Sequence, residues 1–481
     1  MKKLFTTADL QNIISQSIKF WGNPADLKLI QVNPKRIVIY LQELVDENQL
    51  QQRIRRNYLV TPLLCHGEHF DQVAAVLPQA FRALTSGHAL FFELKEEGLS
   101  LKAISVPGWQ QRPIEEPPSE QLIRGPREGF TETLAVNTAM IRRWISDSNL
   151  KVDEMRVGKR TQTAIRLIYL HDLADSKLVQ EVKQRIGDIQ IDGILESGYL
   201  EQLITDNRFT IFPLIQSTER SDKVTAAILE GRVAILVDKS PFALMVPTTI
   251  NELYQSPEDY YFGFYLGSFL RGFRLLGNNL AIALSGLYIA LSSSNPELLP
   301  TSFAFSIAAS RRGIPYPIFV EVLLLEIMVE VFREAGLRLP KNVNQTLGVV
   351  AGIGLALAAV QTRLVSGASL VIVTIGAIAS FSSPSFAVGI PWRIFKFLLI
   401  FGAAFLGIVG LTLTGILILG HAATLTSFGT SYLAPWAPLQ LRELRDSVFR
   451  EPFWMRITRP RTYRPKDRRR MSDIQDEEEN E

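Results

Sequence analysis

The chain has a single cysteine, Cys65, which rules out an internal disulfide framework and suits a polypeptide facing a reducing cytosol. Histidine is nearly as scarce, with five in 481 residues, so little is available to build a metal centre. One group tempts: Cys65, His66 and His69. It lacks a fourth ligand at a recognisable spacing and reads as loop polarity or a helix start, so no metal is expected. Surplus charge is missing too. Lys and Arg number 51 against 48 Asp and Glu, a net +3 that leaves no global basic surface for nucleic acid. There is no glycine-rich phosphate loop, Gly-x-Ser-x-Gly elbow or His pair at zinc-protease spacing. The run from Arg124 to Gly129 has the glycines of an anion loop, but Pro126 interrupts its row of donors. Without a catalytic motif, neither an enzyme nor a cofactor is expected.

Long uncharged runs are present, and all lie in the second half. Leu275–Pro296, Asn342–Thr362, Leu364–Trp392 and Phe397–Leu441 carry no charged residue. A spanning helix needs about 20 predominantly apolar residues, so each run predicts a membrane crossing. Upstream of residue 270 no run approaches that length. Residues Met1–Leu10 lack the apolar stretch of a secretory signal, which leaves the N-terminal half in the cytosol. Arg271 and Arg274 ahead of the first run, and the basic tail around Arg468–Arg470, place both ends inside. Four crossings satisfy this, with residues 298–335 dipping in or lying at the interface.

The expected fold class is therefore an α+β cytosolic region, made of two α/β subdomains, followed by an α-helical multi-span membrane domain. The first subdomain covers residues 1–110. Strand-like runs Leu27–Gln31 and Arg36–Leu41 flank the Asn33-Pro34 turn signal, and Phe70–Leu84 has helical spacing. Ala89–Leu94 and Leu99–Ile104 read as a hairpin across Gly98. The second subdomain covers residues 120–265. It carries helix signals at Phe130–Ser146, Ser176–Ile186 and Asp222–Leu229, and strand signals at Ala164–Tyr169, Thr210–Leu214, Val233–Val237 and Phe242–Val246. This alternation predicts a mixed sheet covered by helices. Residues 270–435 form the membrane domain and 436–481 a charged cytosolic tail, whose acidic end reads as disordered.

Two features of the apolar half invite a functional reading. Small residues at Gly348, Gly352 and Ala356 open a helix whose backbone can approach a neighbour closely, which serves either ordinary packing or a pore near a symmetry axis. In Pro317–Gly336, Glu326, Glu330 and Glu334 share one helical face. Carboxylates near membrane depth should face water, a partner or a cation path; equally, the helix could lie in the interface with its acids in solvent.

Several longer motifs carry a resemblance. They are Glu116-Pro117, Ile123-Arg124-Gly125-Pro126-Arg127-Glu128-Gly129-Phe130, Ile189–Asp192, Thr218-Glu219-Arg220, Gly231–Asp238, Ser240-Pro241-Phe242, Gln255–Tyr261, Arg333–Pro340 and Gln345-Thr346-Leu347-Gly348. In these, over about residues 110–435, the chain resembles the A subunit of the GerA family of spore germination receptors, or its close sibling from the stage V A sporulation operon. Ser221 and Ala351 depart from residues common in that family. The resemblance implies a multi-pass protein of the spore inner membrane with a cytosolic N-terminal region. It implies a homo-oligomer, a ring of five, working with a transporter-like B subunit and a lipoprotein C subunit in contact with membrane lipid. The function implied is a nutrient-gated channel for monovalent cations; the alternative is a non-conducting membrane scaffold. Carried over to this sequence, the constriction falls at Ile353, with Gln345, Val349 and Ala356 beside it. Arg124, Arg127, Glu219 and Arg220 are candidates for the interface between protomers.

Overall fold

The computed structural model describes residues 7–22, 24–56, 63–67, 70–95, 98–108, 116–117, 119–338, 352, 354–384 and 386–471. The first unit runs α1 (Thr7–Phe20), β1 (Leu27–Asn33), β2 (Arg36–Leu41), α2 (Glu47–Arg56), β3 (Leu63–Gly67), α3 (Phe70–Thr85), β4 (His88–Lys95) and β5 (Gly98–Ser105). Its sheet has the order β1-β2-β4-β5-β3. The second runs α4 (Leu134–Trp144), β6 (Leu150–Val157), β7 (Thr163–Leu170), α5 (Ser176–Gly187), α6 (Ser197–Ile204), β8 (Gln216–Thr218), α7 (Ser221–Leu229), β9 (Val233–Val237) and β10 (Ala243–Val246), with sheet order β6-β7-β9-β10-β8. Ranked by position in each unit, both orders read 1-2-4-5-3, and each unit begins with a helix, closes a hairpin, places its third strand between helices and ends on a second hairpin. The fold is thus duplicated.

Every strand pairing in both sheets is antiparallel, which corrects the expected mixed sheet. Each two-strand run closes as a hairpin, and the lone middle strand joins an edge in reversed direction, so no parallel crossover forms. The continuous apolar run of β9 follows from its place at the centre of its sheet. Val233, Ile235 and Val237 pack with Leu178, Val182 and Leu200 on one face. Ala234 and Leu236 pack with Ile141, Val224 and Ile228 on the other. Thr210–Leu214, expected as a strand, is irregular. Its Phe212 and Leu214 pack with Phe395 and Ala422 of the apolar helices instead of joining a sheet. The two units are joined by a buried pair in which Arg142 Nε and Nη2 donate to the two Asp26 oxygens, each at 2.8 Å.

Beyond α8 (Ile250–Tyr254) and α9 (Glu258–Tyr261) come the apolar helices: α10 (Phe264–Ile289), α11 (Thr301–Ser310), α12 (Ile318–Arg338), α13 (residues 354–361), α14 (Gly367–Ser380) and α15 (Phe386–Thr424). Among the described residues two helical stretches are long and apolar enough to cross a membrane, Phe264–Ser294 and Gly389–Thr424. Of the four runs expected to cross, Asn342–Thr362 lies mostly outside the described residues. The 14 residues of α14 reach only about 21 Å, short of a hydrocarbon core of about 30 Å. The run expected from Phe397 to Leu441 stops being helical at Thr424.

The longest helix is in fact a hairpin. Gly407 takes φ 60° and ψ −138°, outside the helical region, and splits α15 into two arms. A Cβ on Gly410 would stand 2.0 Å from the Gly402 carbonyl oxygen, and one on Gly402 2.3 Å from Thr414 Oγ1. Residues eight and twelve apart in one straight helix never meet, so the arms run antiparallel. Asn295, beyond the end of α10, accepts the freed N–H of Ile408 at 3.2 Å and caps the returning arm.

Candidate functional site

The segment Gln255–Tyr261 joins the α/β region to the apolar helices. Asp259 is fully buried and accepts from Arg271 Nε at 3.1 Å and Arg274 Nη2 at 2.7 Å, both on α10. Its neighbour Tyr260 donates to Asp446 at 2.9 Å, and its ring lies against three guanidinium groups, those of Arg271, Arg450 and Arg456. Burial, reinforced by the Asp446 charge, holds the Tyr260 phenol well above its usual range. Tyr261 donates to Asp222 at 2.6 Å, and Glu258 accepts from the Ile123 N–H at 3.3 Å. Four consecutive side chains therefore hold a loop, α7, α10 and the C-terminal segment. Asp446 completes the joint by accepting from Arg271 at 3.2 Å and Arg456 at 3.1 Å. Cavities of about 550 Å³ and 430 Å³ flank this network, lined among others by Glu252, Gln255, Arg456 and Arg459. Removing one member of a buried pair leaves an uncompensated charge, at a cost of about 3–5 kcal/mol, so the joint is a rigid connection.

Two of the four proposed interface residues turn inward. Arg220 is fully buried, donating from Nε and Nη2 to Asp222 at 3.0 and 2.9 Å and to the carbonyls of Glu120 and Pro126. It holds the 120–126 loop against α7. Glu219 accepts from Ser119 Oγ at 2.8 Å. Arg124 and Arg127 are exposed, without an ion pair among the described residues. Gly125, between them in sequence, has φ 146° and passes over the Tyr261 ring, where a Cβ would stand 2.7 Å from its Cε2.

The acidic face of α12 is paired within the chain. Glu326, buried, accepts from Lys396 Nζ and Ser285 Oγ, both at 2.5 Å. Glu330 accepts from Arg333 and Arg393 at 3.0 Å each, and Glu334 from Arg338 at 2.6 Å. Glu321, one turn earlier, accepts from Arg311 at 2.8 Å and from the Ser366 N–H at 3.0 Å. Glu326 and Glu330 thus meet cations from α15 of this chain, whereas Glu334 stays exposed beside Arg338 of its own helix. The signal was the Arg393 and Lys396 pair, three residues apart on the first arm of α15. Gln345, Val349 and Ile353 lie outside the described residues, as does His69; Cys65 and His66 fall on β3. Ala356 is half-buried on α13, and Gly354 on that helix and Gly352 ahead of it have open space, among the described residues, where a side chain would be.

Fold and joint define a class: a two-unit α/β region fastened by buried ion pairs to a bundle of apolar helices. Residues 9–462 match the model of the Bacillus/Clostridium GerA spore germination protein. The chain is 39% identical over 450 residues to spore germination protein KA of Bacillus subtilis (strain 168), covering 90% of this chain and 81% of that protein. It is 37% identical over 438 residues to the membrane protein YfkQ of the same organism, covering 89% and 85%. Against the crystal structure of the N-terminal domain of the A subunit of the Bacillus megaterium spore germinant receptor GerK3, identity is 28% with a TM-score of 0.34, over 48% of this chain and 92% of that one. The chain belongs to the GerA family of spore germination proteins, among its A subunits.

Proposed function

We propose that this chain is the channel-forming A subunit of a germinant receptor, which releases monovalent cations across the spore inner membrane when nutrient is sensed. It acts without catalysis, as a ring of five copies with a transporter-like B subunit and a lipoprotein C subunit. The α/β region faces the cytosol. The observation that carries this reading is the state of α13. Leu355 and Leu357 are 45% and 56% exposed, and Gly354, like Gly352 just ahead of the helix, meets no neighbour within 4 Å among the described residues, so this small-residue helix offers a face that the described part of a single chain does not pack. A helix held near an axis between copies has such a face. The ion pairing of α12 supports it too, because a bundle with its charges matched internally can present an apolar constriction that gates by dewetting.

The test is potassium efflux from cells expressing the chain with its partner subunits. Ile353→Ala is expected to leak constitutively at unchanged membrane abundance. An intact oligomer without leak would favour the non-conducting scaffold.

A further inference from the structure

The loop between α6 and β8 ends beside the membrane helices. Phe212 is buried there, its ring centroid 4.6 Å from that of Phe395 on the first arm of α15 and 6.0 Å from that of His421 on the second. Thr210 Oγ1 lies 3.1 Å from His421 Nε2. Next to this anchored stretch, Phe209 is 99% exposed, Ile211 is 38% exposed, and Arg208 is exposed without an ion pair among the described residues.

Depth decides what such a loop meets. His421 lies 14 residues from the hairpin turn at Gly407, a rise of about 21 Å along the arm. A hydrocarbon core is about 30 Å thick, with headgroup zones beyond it. If the turn lies at the far surface, the end of the loop is already at lipid depth. The helix surface agrees, because Ile416, Leu417 and Leu419 remain 62–65% exposed up to two residues before His421. An aromatic ring beside a free guanidinium suits this boundary, the ring among upper acyl chains and the cation on a lipid phosphate.

We infer that Arg208, Phe209 and Ile211 form a membrane-surface anchor, dipping into the phospholipid headgroup region of the cytosolic leaflet and tying the second α/β unit to the bilayer. This rests on the proposed membrane location of α15.

The experiment uses the full-length chain in a Cys65→Ser background, reconstituted in phosphatidylglycerol and phosphatidylcholine nanodiscs. An environment-sensitive fluorophore is placed at Phe209→Cys, at Leu417→Cys, or at Arg160→Cys, whose side chain is 83% exposed on the α/β region. Quenching by nitroxide lipids labelled near the headgroup and by aqueous iodide is then compared. The Phe209→Cys label is expected to be quenched by shallow nitroxide and protected from iodide at least about threefold relative to Arg160→Cys. Iodide quenching equal to that at Arg160→Cys overturns the anchor by placing the loop in water. Protection from both quenchers overturns it by placing protein there, such as a second copy. Lipid quenching at Leu417→Cys alone sinks only the anchor, whereas its absence at both positions sinks the membrane placement of α15 as well.

Discussion

Glu201 on α6 is a carboxyl with no ion pair among the described residues. Burial, and then the nearby Glu196 charge, push it up from 4.5 to about 7. The unfolded chain releases this proton near the ordinary value, while the folded chain keeps it until pH is near 7. Between those values the folded state binds more protons, so stability falls as pH rises through the window. The penalty is absent below about pH 4.5 and complete above pH 7, where it amounts to at most about 3 kcal/mol. Glu201→Gln is therefore expected to stabilise the chain at pH 8 and to be nearly neutral at pH 4.5. Denaturant unfolding at the two pH values, wild type against variant, checks this; equal differences at both would show that the carboxyl ionises normally in the fold.

At the scale of elements, the α15 hairpin depends on three glycines placed five and three residues apart. Gly410→Ala puts a methyl where the Gly402 carbonyl oxygen now sits, 2.0 Å from the ideal Cβ, and backbone cannot yield as a side-chain tip can. Forcing the arms apart should cost about 2–3 kcal/mol, read as a lower melting temperature of the purified chain in detergent. An unchanged melting temperature would mean that the arms do not touch at this point. The elements also show what local sequence could reveal. Helical spacing in Phe70–Leu84 and the strand pair around Asn33-Pro34 appear as α3 and the β1–β2 hairpin, because short-range periodicity and turn residues govern both. The α15 hairpin was not legible. Its Gly402 and Gly410 lie inside one uncharged run, and a run long enough to cross a bilayer looks the same whether it continues or folds back. Small residues at 348, 352 and 356 drew attention to another seam, while the close approach through Gly402 and Gly410 joins positions whose partner becomes apparent only after the chain reverses. Thr210–Leu214 fails for a related reason. Its apolar alternation fits a strand, yet Phe212 buries against the apolar helices, a contact that crosses some 180 residues of sequence.

Across the whole molecule, the duplicated α/β fold and the helical bundle meet at the Gln255–Tyr261 joint. Those seven residues stood out in the sequence through their family pattern, but nothing local assigned them a task, since their partners Arg271, Arg274, Asp446 and Arg456 are distributed over two distant segments. Any movement of the second α/β unit relative to α10 must pass through these pairs or break them. Asp446 is the member that touches both sides: it accepts from Arg271 on α10, from Tyr260 in the joint and from Arg456, which also donates to Glu230 beside α7. Asp446→Asn keeps the size and part of the hydrogen bonding while removing the charge. If the proposed channel is opened through the cytosolic region, this change should remove on the order of 1.4 kcal/mol of coupling, a tenfold slower nutrient-triggered potassium release at equal subunit abundance. Arg271 and Arg274 keep Asp259, so the fold itself should survive. Release at the wild-type rate would mean that the nutrient signal enters the helices from within the membrane, leaving the joint a structural connection between two parts of the subunit.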